Sequence, residues 1–323
     1  MTTVREFIKR FEQFAPIELR ENGDPTGFQI GNKDAEIKAM MTTLDVRPET
    51  VQEAIDNHVN FIFAHHPVMF SPAKNLDLSN PQNEMYAEIL KHDITVYAAH
   101  TNLDNANGGM NDWLTSAIGL KNISGMILHD TNINNEPHYL GRVGDLPRAI
   151  TFKELAEQCK TIFNLQELRM VTNNPDKLVK RVAILGGSGG KFYSAAIAKN
   201  ADVYFTGDLY YHTSQDMLAE GLMAIDPGHH VESICKLKLK ELFEKNSGDI
   251  FKSNNYYVNI IFGLEPNFVT MSQRNPQALK IYYATGAYWK HQLTMVKNRT
   301  DLFNTKHGIH LPYSRLVDAH NSC

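Results

Sequence analysis

The sequence predicts an α/β protein of two lobes, with mostly parallel or mixed sheets and a metal site in the cleft at their strand C-terminal ends. Three observations predict it. Short apolar runs of strand length alternate with helical patterns along most of the chain, the signature of an α/β sheet. Three of these runs end in His, Asp or Glu: Phe61-Ile62-Phe63-Ala64-His65-His66-Pro67, then ITVYAAHTNLD over 94–104, then LMAIDPGHHVE over 222–232. Ligands of open parallel sheets bind beyond the carboxyl ends of the strands, so these three ends can meet in one crevice. The length, 323 residues, suffices for a full core and two lobes.

Each element follows from local pattern. Residues 7–14 alternate as an opening amphipathic helix. Residues 22–31 are rich in Gly and Pro and read as a loop. A strand spans 38–46. Pro48 suits a first helical position and opens a helix to about His58. A strand at 60–66, a helix at 83–91, a strand at 94–100 and a helix at 110–118 complete the first series. A polar stretch at 132–137 marks the passage to a second region. There a strand at 139–143 precedes a helix at 152–163, for which Thr151 is the N-cap. Strands at 168–172 and 179–185 lead into Gly186-Gly187-Ser188-Gly189-Gly190. A helix at 192–199, a strand at 202–206, a helix at 212–220 and a strand at 222–225 follow. A last helix runs to about Glu244, and a last strand spans 256–262. The expected lobes are 1–130 with 225–262, and 131–224, leaving 263–323 as an extension.

Charge and cysteine usage exclude several classes. The net charge is −4, which argues against nucleic acid as a partner of the core. The segment from Pro266 carries seven Lys and Arg against two Asp, a net of +5, so the remainder carries −9. Tyr282, Tyr283, Tyr288, Trp289 and Phe303 are interleaved with those cations. That mixture fits an RNA- or partner-binding extension, or a helical arm packed on an acidic surface. Cys159, Cys235 and Cys323 are odd in number and form no CxxC, so neither a disulfide framework nor a thiolate zinc site is expected. A cytoplasmic location fits. No apolar stretch approaches the ~18 residues of a membrane span.

The ligand-bearing ends carry the chemistry. Imidazole and carboxylate together suit zinc, manganese, iron, cobalt or nickel; the alternative is a hydrogen-bonded polar cluster at the sheet edge. Adjacent strand residues face opposite ways. His65 and His66 can therefore both be ligands only where the strand has ended, as Pro67 suggests, and two vicinal ligands serve two ions more readily than one. Asp104 is the expected bridging carboxylate. His229 and Glu232 share a face at i, i+3. His230 competes with His229 but lies one step round, so His229 is preferred. Ligating imidazoles need outer partners, for which Asp226, Asp208, His212 and His100 are available. Asp208 and His212 also suit proton transfer, or are a helix cap and a surface His. Gly187, Gly189 and Gly190 can cradle a phosphate, with Lys191 favouring an anion, or serve close packing in a tight turn. Cys235 reads as core.

The ordered set Phe63-Ala64-His65-His66-Pro67, His100-Thr101-Asn102-Leu103-Asp104, Gly187-Ser188-Gly189-Gly190, Gly207-Asp208 with His212, and Asp226-Pro227-Gly228-His229 with Glu232 resembles the GTP cyclohydrolase 1 type 2 homologue family, the Nif-three-like dinuclear metal-binding proteins. The resemblance spans residues 1–262. It implies a two-lobed α/β protomer, two divalent ions held by His65, His66, Asp104, His229 and Glu232, and a toroidal homo-hexamer. Gly23-Asp24-Pro25 stands where many relatives carry Trp-Asp-Asn, and no extra domain fits between the lobes. The residues from 266 onward match nothing in the family pattern.

The expected function is a metal-dependent hydrolase acting on a nucleotide or other small phosphorylated or heterocyclic substrate. His212 or Asp208 would move protons and the glycine loop would hold phosphate. The family name points to GTP, which the residues do not single out. The same ligands fit the alternative, a non-enzymatic metal-handling or regulatory scaffold protein.

Overall fold

Thr3 and Glu6 start the first helix by exchanging side-chain and backbone hydrogen bonds, a capping box. That helix, α1 (Val4–Phe11), buries Val4, Phe7, Ile8 and Phe11. The computed structural model describes residues 2–129, 133, 135–246, 260–263 and 279–283.

The first lobe is built from β1 (Gly27–Ile30), β2 (Ala39–Thr43), α2 (Pro48–Asp56), β3 (Phe61–Ala64), α3 (Pro81–Lys91), β4 (Thr95–Ala98), α4 (Thr101–Asn105) and α5 (Met110–Ile118). The second contributes β5 (Lys121–Leu128), β6 (Tyr139–Thr151), α6 (Phe152–Ile162), β7 (Arg169–Val171), β8 (Leu178–Ile184), α7 (Tyr193–Ala198), β9 (Val203–Phe205), α8 (Tyr211–Ala219) and β10 (Met223–Asp226). The chain then returns through α9 (Ile234–Asn246) to β11 (Ile260–Gly263) and β12 (Leu279–Tyr283). The sheets are mixed and six-stranded, in the orders β1-β4-β3-β2-β12-β11 and β5-β6-β8-β9-β10-β7. In the first, only β1 runs antiparallel; in the second, β8, β9 and β10 are parallel.

The two-lobed α/β reading holds, with differences of detail. The loop read at 22–31 contains β1, which begins at Gly27 and is followed by Gly31, at φ +117° and +106°; the glycines that make its bends also disguise it. Residues 121–128 form β5 in the second sheet, so that sheet begins near residue 120 rather than after 130. β6 continues past Val143 through Pro147, because its pairing with β8 is irregular between Asp145 and Ile150. No ladder bond is needed where the proline sits. Within the basic segment, 279–283 is a strand rather than part of a helical arm, placed between β2 and β11. Residues 256–259 of the expected last strand, and the rest of 263–323 with its RNA- or partner-binding reading, lie outside the described residues.

One apolar core joins the lobes. It runs from Phe61, Phe63 and Tyr97 through Leu114 and the Cys235, Leu239 and Phe243 face of α9 to Ile184, Phe205 and Ile225. Edge-on aromatic pairs, such as Phe11 with Phe63 at 4.7 Å, fix its first-lobe half. Separate clusters lie under α2 and α3 on one outer face and under α7 and α8 on the other. The two sheets are therefore held as one body, which keeps their strand ends in register. Among the described residues no helix is long and apolar enough to cross a membrane.

Candidate metal centre

β2, β3 and β4 lie side by side and parallel, so their carboxyl ends open along one edge. Asp45 follows β2, His65 and His66 follow β3, and His100 follows β4, with Asp104 one turn on in α4. From the second sheet come Ser188 after β8, Asp208 after β9 and His229 after β10, with Glu232 in the 3₁₀ turn His229–Ser233. Successive amides of a strand point to opposite neighbours. Those of His65 and His66 both donate to the end of β2, to the Thr43 carbonyl at 3.0 Å and the Leu44 carbonyl at 2.9 Å. The strand has ended, as Pro67 predicted, and the two rings stand side by side with centroids 5.0 Å apart.

Four imidazoles share one device. Each has its Nδ1–H committed to an oxygen behind it: His65 to the Ala99 carbonyl at 2.7 Å, His66 to Asp45 at 2.8 Å, His100 to Asp24 at 2.7 Å and His229 to Asp208 at 2.6 Å. This is how outer partners fix the tautomer and aim of a ligating ring. The Nε2 atoms of His66 and His229 approach Glu232 Oε2 at 3.1 and 3.2 Å. His65 Nε2 lies 3.7 Å from Asp104 Oδ1 and 3.8 Å from Glu232 Oε2, too far for hydrogen bonds.

His65 Nε2 and Asp104 Oδ1 are buried and lack any hydrogen-bond partner. Each such atom costs about 1–3 kcal/mol, a penalty that a cation between them would remove. Among the described residues, three groups have donor atoms within 4.8 Å of one another: His65-His66-His100, His66-His229-Glu232 and His65-Asp104-Glu232. The residues present therefore fit a metal.

The charge balance points the same way. Burial, then the neighbouring Glu232 carboxylate, pushes Asp104 up to about 8. Burial also opposes ionisation of Glu232, yet the three imidazoles around it hold it well below the ordinary range. Burial disfavours a charged His66, but Asp45 and Glu232 outweigh it and raise the ring to about 10. His229 rises to about 9, led by its bond to Glu232. Without metal, protons on these groups supply the positive charge. Ligation requires the deprotonated forms, so loading at pH 7 should release protons, fewer at pH 9, while apparent affinity rises with pH. Calorimetric titrations in buffers of different ionisation enthalpy measure this; equal release at pH 7 and pH 9 would contradict it.

All five expected ligands come together, with one correction. Glu232, not Asp104, is the carboxylate common to two groups, because the 3₁₀ turn carries it between the rings while Asp104 stays on the His65 side. His229 rather than His230 reaches Glu232; His230 is exposed at the cleft wall. His212 is exposed on α8 against Tyr211 and does not line the cleft, so its expected proton-moving role has no geometric support. Asp208 is present, as the brace of His229, and accepts from Ser188 Oγ at 2.5 Å. Asp226 orients no imidazole; it accepts from the Leu209 and Gly228 amides and pairs with Arg169. The glycines have packing reasons. A Cβ on Gly187 would lie 3.0 Å from Glu232 Oε1, and one on Gly189 2.5 Å from Thr206 Oγ1. The Gly189 amide is spent on that same hydroxyl.

Asp45, Asp24 and Asn111 were not anticipated in the site. Buried Asn111 donates to the Asp104 carbonyl at 3.0 Å and accepts from the Gly186 amide at 3.0 Å, tying the two lobes' contributions together. A pattern signal existed only for Asp45, which ends an apolar strand as the candidate ligands do. The centre lies in a cleft of about 950 Å³, with Phe70, Lys191 and Phe192 among its walls. Phe70 is 68% exposed there.

Residues 2–262 match the model of the Duf34/NIF3 (NGG1p interacting factor 3) family, and the chain belongs to it. It is 46% identical to the GTP cyclohydrolase 1 type 2 homolog of Streptococcus pneumoniae, over 74% of this chain and 89% of that protein. The protein of the same name from Lactococcus lactis is 39% identical over 71% and 86%. Among solved structures, a Bacillus cereus protein related to NIF3 superposes with a TM-score of 0.75 at 25% identity, over 88% of this chain and 97% of that one. Reduced HcgD from Methanocaldococcus jannaschii gives 0.64 at 27% identity, over 87% and 98%.

Proposed function

We propose that the cleft is a dinuclear metal centre serving hydrolysis of a nucleotide or another small phosphorylated or heterocyclic substrate. One observation carries this reading. Glu232 is common to two donor triads, His65-Asp104-Glu232 and His66-His229-Glu232, so one carboxylate can bridge two ions, one per triad. Zinc, manganese, iron, cobalt and nickel all accept this mixed donor set.

Paired divalent ions supply Lewis acidity and a water acidic enough to attack at neutral pH. The protein does the rest. Ala99, Asp45 and Asp208 hold three imidazoles in position from behind, so little ordering remains when substrate arrives. Phe70 and Phe192 give the cleft apolar walls for a heterocycle, and Lys191, whose ammonium lies 4.8 Å over the Phe192 ring, offers a cation to an anionic group. Asp208 acts through His229, which it orients, rather than by touching substrate. The names of the relatives favour a purine nucleotide, and GTP is the first candidate. Self-assembly into a ring belongs to the same proposal.

The test is a hydrolysis screen of the zinc-, manganese- and iron-loaded protein against GTP, other nucleotides and small phosphate esters. Turnover should require metal and fall at least 100-fold in Asp104→Asn, a drop larger than loss of an outer partner alone produces. A fully loaded protein that leaves every substrate intact, yet passes its ions to an apo-acceptor, would overturn the hydrolase reading in favour of metal handling.

A further inference from the structure

His100 is the one clamped imidazole that neither triad uses. Its Nδ1 is held by Asp24, whose second oxygen accepts from the Thr101 amide at 3.2 Å, the Thr101 hydroxyl at 2.5 Å and the Thr26 hydroxyl. The Asp24 side chain is only 5% exposed. Burying a carboxylate is costly unless it is fully partnered, and this one meets four donors, one of them the imidazole. The arrangement repeats what Asp45 does for His66 and Asp208 does for His229. It fixes the aim of a ring, and His100 belongs to the His65-His66-His100 group, to which its Nε2 is the nitrogen left over by the Asp24 bond.

The three rings fit one ion. Tetrahedral directions and metal–nitrogen distances of about 2.0–2.1 Å set the centroids of ligating imidazoles roughly 5 Å apart. The observed separations are 5.0 Å for His65 with His66, 5.3 Å for His65 with His100 and 5.6 Å for His66 with His100. His66 with His229, inside a triad, stands at 5.1 Å. His66 and His100 are each 20% exposed and His229 is 40% exposed, whereas Glu232 and His65 are 3% and 0% exposed. An ion entering from solvent meets His66, His100 and His229 before it reaches Glu232, and His65 closes the face from below.

We infer that His65, His66 and His100 form a third, all-nitrogen donor face that receives a single nitrogen-preferring divalent ion on its way into the centre. The inference rests on the metal-centre reading. His65 and His66 each have one free nitrogen, so an ion on this face takes donors that both triads need. The face and the filled pair of triads are alternative states. The first equivalent of metal uses three imidazoles, and the second redistributes His65 and His66 and releases His100. An all-nitrogen face selects copper, zinc, nickel and cobalt over magnesium, calcium and manganese.

The test titrates copper(II) alone into the metal-free full chain and counts coordinated imidazoles by pulsed electron paramagnetic resonance. At half an equivalent the wild type should show three and His100→Gln two. First-step affinity should fall more than tenfold in His100→Gln and about 10- to 100-fold in Asp24→Asn, the range for an outer partner. Melting curves of the metal-free variants establish that both fold, and Asp24→Asn serves alone if His100→Gln does not. An unchanged imidazole count and first-step affinity in both variants would overturn the inference. Zinc content at saturation separates this from the dinuclear reading: two ions with no His100 effect sinks the entry face alone, and one His100-dependent ion sinks the dinuclear centre alone.

Discussion

Glu232→Gln should disable both triads at once. Its carboxylate is the group on which His66 and His229 converge, and it is common to the His65-Asp104 and His66-His229 sets. The amide keeps the volume but removes the charge and one acceptor oxygen. Affinity should fall at both positions by more than the roughly 100-fold that losing an outer partner costs. Asp104→Asn differs, because Asp104 belongs to one triad only; it should weaken one ion and leave the other. Zinc titration with a competing chelator distinguishes them. Equal, single-site losses in the two variants would show that Glu232 is not shared.

Arg142→Met should give the largest loss of stability. Arg142 is 3% exposed and forks onto Asp112 at 2.9 and 2.7 Å, while also donating to the Tyr139, Gly141 and Ala106 carbonyls. It fastens β6 of the second lobe to the α4–α5 corner of the first. Methionine fills much of the space but takes the guanidinium from three carbonyls and from Asp112, which keeps only the Gly108 amide. Asp112 is 26% exposed, so the loss falls short of the cost of stranding a fully buried charge and should be about 2–3 kcal/mol, the scale of hydrogen bonds to a charged group. Denaturant unfolding should show that loss with an unchanged slope. Because Ala106 closes the helix that carries Asp104, metal affinity should fall too. A loss below about 1 kcal/mol would mean that water replaces the guanidinium at little cost.

Much of this was legible in the sequence because the signals are local. Apolar runs that stop at His or Asp mark strand ends, and the rule that ligands gather beyond carboxyl ends places them together. His65-His66-Pro67 shows even that the strand has stopped. What escaped depends on distances between remote segments. Asp24 sits in a Gly/Pro loop 76 residues before its partner His100, and nothing near it in sequence announces a clamp. Asp45 falls at the end of the expected 38–46 strand, but its partner His66 lies 21 residues on, and nothing local joins the two. Asp104 was the expected shared carboxylate, but the 3₁₀ turn places Glu232 between the rings instead, a placement that no local pattern announces. His212 follows Asp208 at helical spacing, but the α8 axis turns it to solvent. The placement of β12 between β2 and β11, with Lys280 opposite Ala39, follows from no local pattern.

The central claim is a centre for two ions, and the most direct measurement is metal content per chain. Protein stripped with chelator, reconstituted with zinc and freed of excess should be analysed by mass spectrometry of the element, with protein quantified by amino-acid analysis. Two ions per chain in the wild type, with both lost in Glu232→Gln, is the predicted result. One ion or none in the wild type would contradict it.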